Sequence, residues 1–367
     1  MSLIMSLKML SSSVTVNARA ECFLGIFRGD TAAASRALGN VAGAGALLEF
    51  LLGPLLGRFS DAFGRKPALL LAPLVTLLGN MLVSLAPASL GVHCFARVVM
   101  IAFDTAFFSA VRASQADVMS GSFMAQNAFM YMGLAGISVP LAPYIAGRLS
   151  PLNAFRLSAA AAGVASLAVV VAVQETLQIS ERLALGPLSA CSPLAFLRLF
   201  RLGPTMSWLT VCSGLQTLTD YRLVEETSTL IMRDKLSWGS KQISRFLTLV
   251  GGYILCAPLA AKFSIKAFGR LGHTRFSNLA NAVGYTCWAR ADSFRSMRNA
   301  QIPLVFGGRK RDGVETLMSD IGSHAYGMGK GELESCTYSG QYMCHPNPSF
   351  APVFCGSIYD IYIAWSR

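Results

Sequence analysis

Runs of about twenty residues without a charge decide what this chain can fold into. Ala68 to Ala86 and Ser120 to Gly147 hold no charged residue at all, and neither does Leu157 to Val173. The hydrocarbon core of a bilayer is roughly 30 Å thick and needs about 20 apolar residues per helix. Inside lipid each segment must close its own backbone hydrogen bonds, so the runs predict helices. Ala33 to Leu56 is a further span, and Val92 to Val111 is apolar except for Arg97 and Asp104. Gly203 to Thr219, Phe246 to Ala261 and Phe276 to Ala289 are shorter candidates. The predicted fold is all-α: a polytopic, multi-pass integral membrane protein.

Composition agrees. Only 14% of residues are charged and mean hydropathy is +0.49, where soluble domains carry about 25% charged residues. The formal net charge of +12 sits in the gaps between apolar runs. Arg58, Arg65 and Lys66 share one gap; Arg182, Arg198 and Arg201 share the central loop; Lys262, Lys266, Arg270 and Arg275 share a third. These gaps lie an even number of spans apart, so all three fall on one side, the cytoplasmic one by the positive-inside rule. No basic stripe with interleaved aromatics accompanies the charge, which argues against nucleic acid as a partner. The expected partners are the lipid bilayer and a small-molecule solute.

Enzyme signatures are missing. The nine cysteines form no CxxC and no zinc-finger spacing with histidine, so neither metal nor cofactor is expected. No G-x-S-x-G elbow occurs, and Gly307-Gly308-Arg309-Lys310 fails the P-loop spacing. The amino terminus, "MSLIMSLKMLSSSVTVNARA", has an apolar stretch interrupted by Lys8 and by Ser11 to Ser13. It reads as a poor signal peptide or as a degraded or incomplete first membrane helix.

The stretch "GRFSDAFGR" at Gly57 to Arg65 is echoed by "AKFSIKAFGRLG" at Ala261 to Gly272. Each lies between apolar runs. Two homologous halves joined by a polar loop produce such an echo, and internal repeats mark transporter folds. The second copy has one residue inserted, with Ile265 and Lys266 where the first has an acid.

With its next two residues the first copy, "GRFSDAFGRKP", resembles the loop motif of the major facilitator superfamily, roughly G-x-L-x-D-x-x-G-R-K, between that family's second and third helices. Gly57, Asp61, Gly64, Arg65 and Lys66 match; Phe59 replaces the usual Leu and Ala62 a common Arg. "QADV" at Gln115 to Val118 resembles the segment after the fourth helix in the tetracycline-exporter-like and hippocampus-abundant-transcript-like branch. "GLAGISVPLAPYIAG" at Gly133 to Gly147 is similar to the antiporter signature of the fifth helix. "QETL" at Gln174 to Leu177 resembles the end of the sixth, and "GKGELESC" at Gly329 to Cys336 the loop after the tenth.

The resemblance implies two pseudo-symmetric half-bundles, residues 1–177 and 203–367, joined by a cytoplasmic loop over 178–202. It implies a secondary active transporter working by alternating access, with coupling to protons among the expectations. Gly57, Asp61, Gly64, Arg65 and Lys66 would form the gating loop. Arg97 and Asp104, seven residues apart and so on one helical face, are pathway candidates because charges at membrane depth face a cavity or a partner. Gly133, Pro143 and Gly147 are candidates for shaping that pathway. The second half departs from the pattern, with eroded ninth to eleventh helices and no clear twelfth. That leaves a second expectation open: a truncated, non-transporting membrane protein with a regulatory or partner-binding role.

Overall fold

A computed structural model describes residues 1–118, 136–182, 193–218, 225–311, 313–314, 317–318 and 321. The first helix, α1, runs from Ser2 to Ile26, and α2 spans Thr31–Phe63. The turn between them ends at Asp30, whose side chain accepts from Ala33 N at 2.9 Å and so caps α2. The third, α3, is Arg65–Leu85, and α4 is Leu90–Val118. A short α5, Ser138–Ala146, precedes α6, Pro151–Ala172. Ser150 caps α6, with Pro151 pre-shaped for its first position.

Two 3₁₀ turns, Ile179–Glu181 and Pro193–Arg201, lie among the described residues of the central polar stretch. Beyond it lie α7 (Pro204–Leu218), α8 (Glu225–Leu236), α9 (Ser240–Ala289) and α10 (Phe294–Gly307). At 50 residues α9 is more than twice what a bilayer needs. It breaks at Gly269 (φ 70°, ψ 176°), leaving one arm for each of the two spans expected there.

That break matches the one between α2 and α3, where Gly64 has φ 109° and ψ 167°. Both conformations lie in a region essentially reserved for glycine. The echo in sequence is therefore an echo in backbone: the same Phe-Gly-Arg turns one helix into the next in each copy.

The largest departure from expectation is α1. Its 25 residues form one continuous helix, where a degraded or incomplete span was expected. Its polar residues are the reason. Lys8, Ser11, Thr15, Asn17 and Arg19 are buried inside the bundle, so the helix scores poorly as a membrane span because it is polar inward. It packs against α5, α6 and α8. Ile4 and Met5 join Leu69, Phe107 and Val169; Ala18 joins Val83, Met100 and Phe155.

The polarity is inverted relative to a soluble protein. On α3, Thr76 and Asn80 are buried while Leu74, Leu78 and Leu82 are exposed. Five helices, α2, α3, α4, α6 and α9, are long and apolar enough to cross a membrane among the described residues. Apolar side chains facing out and polar ones facing in are stable where lipid is the solvent. The chain is a multi-pass integral membrane protein. Close helix contacts rest on small residues, as they do in lipid: Ala154, Ala161, Ala162 and Ala165 form the buried face of α6. Residues 120–135 of the uncharged run, Gly133 included, lie outside the described residues, as does the "GKGELESC" segment.

Candidate functional site

The loop motif folds into a polar cluster at one end of α2, α3, α4 and α6. Arg65 Nη1 reaches Asp61 Oδ1 at 2.5 Å and Ser60 Oγ at 3.0 Å, while its Nε donates to Asp117 Oδ2 at 3.1 Å. Asp61 sits one turn before Arg65, across the Gly64 break. Asp117 also accepts from Thr176 Oγ1 at 3.1 Å. Glu175 completes the cluster by capping α3: its carboxylate accepts from Arg65 N at 2.8 Å and Lys66 N at 3.1 Å. These are the first N–H groups of α3, which have no partner inside the helix, and a negative charge there also suits the helix dipole. Lys66 Nζ donates to Val170 O at 2.7 Å, tying the start of α3 to the end of α6.

Burial pushes the Glu175 carboxyl up, but the N–H groups of Arg65, Leu177 and Lys66, with the Arg182 guanidinium, together hold it below the usual carboxylate range. Gly64 is required here twice over: by its positive φ, and because a Cβ would collide with the Glu175 carboxylate. Gly57 plays no such part. It lies within α2, and a Cβ there would meet nothing within 4 Å. Asp117 and Glu175 stand in the "QADV" and "QETL" segments but were not named as site residues. They lie 52 and 110 positions from Arg65, and no local pattern pairs residues so far apart.

The second cluster is a small cleft inside the bundle, between α1, α3 and α4, with room for about one water. It is lined by Lys8, Ser11, Ser12, Thr15 and Arg19 of α1, Thr76 and Asn80 of α3, and Arg97, Met100 and Asp104 of α4. On α1 these positions follow i, i+3, i+4, i+7 and i+11, one face of a helix. Arg97 and Asp104 thus line the same cleft. Lys8 Nζ pairs with Asp104 Oδ1 at 2.6 Å and donates to Ser12 Oγ at 2.9 Å. Arg19 Nη2 donates to Thr15 Oγ1 at 3.1 Å. Lys8 and Arg19 were not foreseen. Their signal was present: the residues that spoil the amino terminus as a lipid-facing span recur at helical spacing.

A third cluster ties α1 to α8 and α9 near the other end of the bundle. Glu21 Oε1 accepts from Arg233 Nη2 at 2.6 Å, from Asn17 Nδ2 at 3.2 Å and from Ser240 Oγ. Arg233 also donates to Ser240 Oγ at 2.9 Å. Pro143 and Gly147 fall in neither pocket nor ion pair. Pro143 is buried within α5. Gly147 belongs to the contact with α9, where a Cβ on it would lie 2.6 Å from Ser244 Cβ, and one on Gly251 would lie 2.6 Å from Pro140 Cα.

No protein-family model and no curated protein sequence matches the chain. Solved structures do. The human organic anion transporter MFSD10 superposes with a TM-score of 0.72 over 96% of this chain and 92% of that one, at 19% identity. The chain has the major facilitator fold. The nucleoside transporter NupG, in a point-mutant form, gives 0.72 over 97% and 89% at 11% identity. A D-xylose-proton symporter gives 0.66 over 96% and 89% at 14% identity. The likeness spans transporters of unlike cargo, so it is a likeness of architecture and singles out no one branch.

Proposed function

We propose that the protein is a secondary active transporter of a small solute that works by alternating access. One observation carries this reading most: a cleft lined by nine polar residues and Met100, with a Lys8–Asp104 ion pair, held inside a bundle whose outer face is apolar. Charged groups at membrane depth are costly and are characteristic of substrate and ion pathways. The architecture shared with a nucleoside transporter and a sugar–proton symporter supports it.

In this reading residues 1–177 and 203–367 are the two rocking half-bundles and 178–202 is the cytoplasmic connection. The Asp61–Arg65–Asp117 cluster, with Gly64, Lys66 and Glu175, braces the cytoplasmic end of the first half-bundle and holds its gating loop in place. Gly57 lies within α2 beside this cluster and forms no turn. The Glu21–Arg233 pair ties α1 to α8 across the two halves at the opposite end, and would break when that end opens. Arg97 and Asp104 lie in the pathway, and Asp104 is the carboxylate that would take up a proton in a coupled cycle. Gly147 lets the end of α5 pack against α9, Pro143 is buried within α5, and Gly133 belongs to the same signature.

The test is uptake into proteoliposomes of sugars, nucleosides and small carboxylates, with and without an imposed pH gradient. Wild type should accumulate at least one solute, and Asp61→Asn should slow it several-fold at unchanged protein content. Folded, correctly inserted protein that moves none of them would sink the reading.

A further inference from the structure

The two copies of the loop motif treat their bases in opposite ways. In the first, Arg65 meets Asp61 and Asp117, and Lys66 meets Val170 O. In the second there is no acid to meet: between Asp234 and Asp292 the chain carries neither Asp nor Glu. Lys262, Lys266 and Arg275 are all exposed. Among the described residues none of the three forms an ion pair or a side-chain hydrogen bond. Arg270 beside them is exposed too, but it already has an interaction.

The apolar neighbours differ in the same sense. Phe59 packs on the core of the first half, whereas its counterpart Phe263 is 73% exposed. Leu259, Lys262, Phe263 and Lys266 follow i, i+3, i+4 and i+7, so they share one face of α9, and all four are exposed. Beyond the Gly269 turn, Leu271, Arg275 and Leu279 follow i, i+4 and i+8 and are exposed as well. Phe268 and Phe276 meet across the turn with ring centroids 5.5 Å apart, which holds the two arms together. Lys262 follows Lys241 by 21 positions, about 31 Å of helix, and a hydrocarbon core is roughly 30 Å thick. The turn therefore stands at one membrane surface, the cytoplasmic one by the positive-inside rule. Apolar side chains in lipid with cationic heads at its edge are the arrangement of snorkelling lysines, and Lys and Arg gathered there attract anionic headgroups.

We propose that the turn of the second copy docks an anionic phospholipid of the cytoplasmic leaflet. Its phosphate supplies the negative charge that Asp61 and Asp117 supply in the first copy. Lys262 and Lys266 hold the headgroup, Arg275 on the other arm adds to the attraction, and the acyl chains lie along Leu259 and Phe263. A zwitterionic lipid fits less well, because α9 has no carboxylate to meet a choline or ethanolamine group. The docking rests on the membrane fold and not on the transporter reading, so a failure of uptake leaves it untouched.

The experiment is native mass spectrometry of the purified full-length protein in detergent, titrated with dioleoylphosphatidylglycerol or with dioleoylphosphatidylcholine. Wild type should bind the first phosphatidylglycerol at least tenfold more tightly than phosphatidylcholine. Each base near the surface is worth about fivefold in affinity. The double variant Lys262→Gln, Lys266→Gln should therefore bind phosphatidylglycerol about twenty-five-fold more weakly, with phosphatidylcholine unchanged. Lys241→Gln, Arg245→Gln removes two exposed bases from the other end of the same arm and should leave both affinities within about twofold of wild type. Equal affinity of wild type for the two lipids overturns the proposal, and that comparison needs no variant. An equal loss in Lys241→Gln, Arg245→Gln overturns it too, since net charge alone would then gather the lipid. Displacement of phosphatidylglycerol by millimolar inorganic phosphate at constant ionic strength would make free phosphate the ligand and overturns the lipid assignment.

Discussion

Gly64→Ala is expected to cost more than Gly269→Ala, although both glycines hold the same unusual backbone in matching turns. The backbone part is common to the two, about 1–3 kcal/mol for a non-glycine residue forced into that region. The surroundings differ. At Gly269 a Cβ would meet nothing within 4 Å, whereas at Gly64 it would sit 2.7 Å from Glu175 Cδ. Glu175 would have to withdraw and give up the first two N–H groups of α3. Losing a helix cap costs about 0.5–2 kcal/mol. Gly64→Ala should therefore destabilise by about 1.5–5 kcal/mol, and Gly269→Ala by about 1–3 kcal/mol. In a Glu175→Ala background the cap is already gone and the Cβ has room. The cost of Gly64→Ala should then fall to its backbone part, leaving a coupling of about 0.5–2 kcal/mol. Melting of purified protein in detergent reads this, at about 2–4 °C per kcal/mol for a cooperative unit of 150–250 residues. Equal costs at Gly64 and Gly269, or strict additivity of Gly64→Ala with Glu175→Ala, would refute the reasoning.

Three further outcomes are expected. Because the Glu175 carboxyl is held below its ordinary value of 4.5, its stabilisation is complete above that pH and is lost as pH falls through the lower folded value. Melting curves of wild type and Glu175→Gln should accordingly stay apart from neutral pH down to 4.5 and converge only below it, as pH falls through the lower folded value. Asp104→Asn leaves the Lys8 ammonium buried without its opposite charge, a change that costs about 3–5 kcal/mol; the double variant Lys8→Met, Asp104→Leu should recover most of the loss in melting temperature. Arg233→Gln removes the ionic tie between α1 and α8, so a cysteine placed at Ser240 should react faster with a water-soluble maleimide than it does with Arg233 intact; an unchanged rate would show that this end does not open.

Much of the fold was legible in the sequence because lipid imposes a simple demand: long uncharged runs must be helices, and charges must gather in the gaps. Span positions, the paired Phe-Gly-Arg turns and the all-helical class follow from that demand. So does the suspicion that Arg97 and Asp104 face inward together, since their spacing alone places them on one helical face. Tertiary structure decided what each charge meets. Hydropathy counts Lys8 and Arg19 as flaws in a span, because it assumes that a helix faces lipid; α1 faces a polar cleft instead, and its apolar-to-polar ratio reflects that surrounding. Asp117 and Glu175 stand in separate motif segments, 52 and 110 positions from Arg65, until folding carries them to the start of α3. Sequence spacing governs which residues share a helix face; which faces meet depends on how the helices pack, and that is set by contacts between positions far apart along the chain.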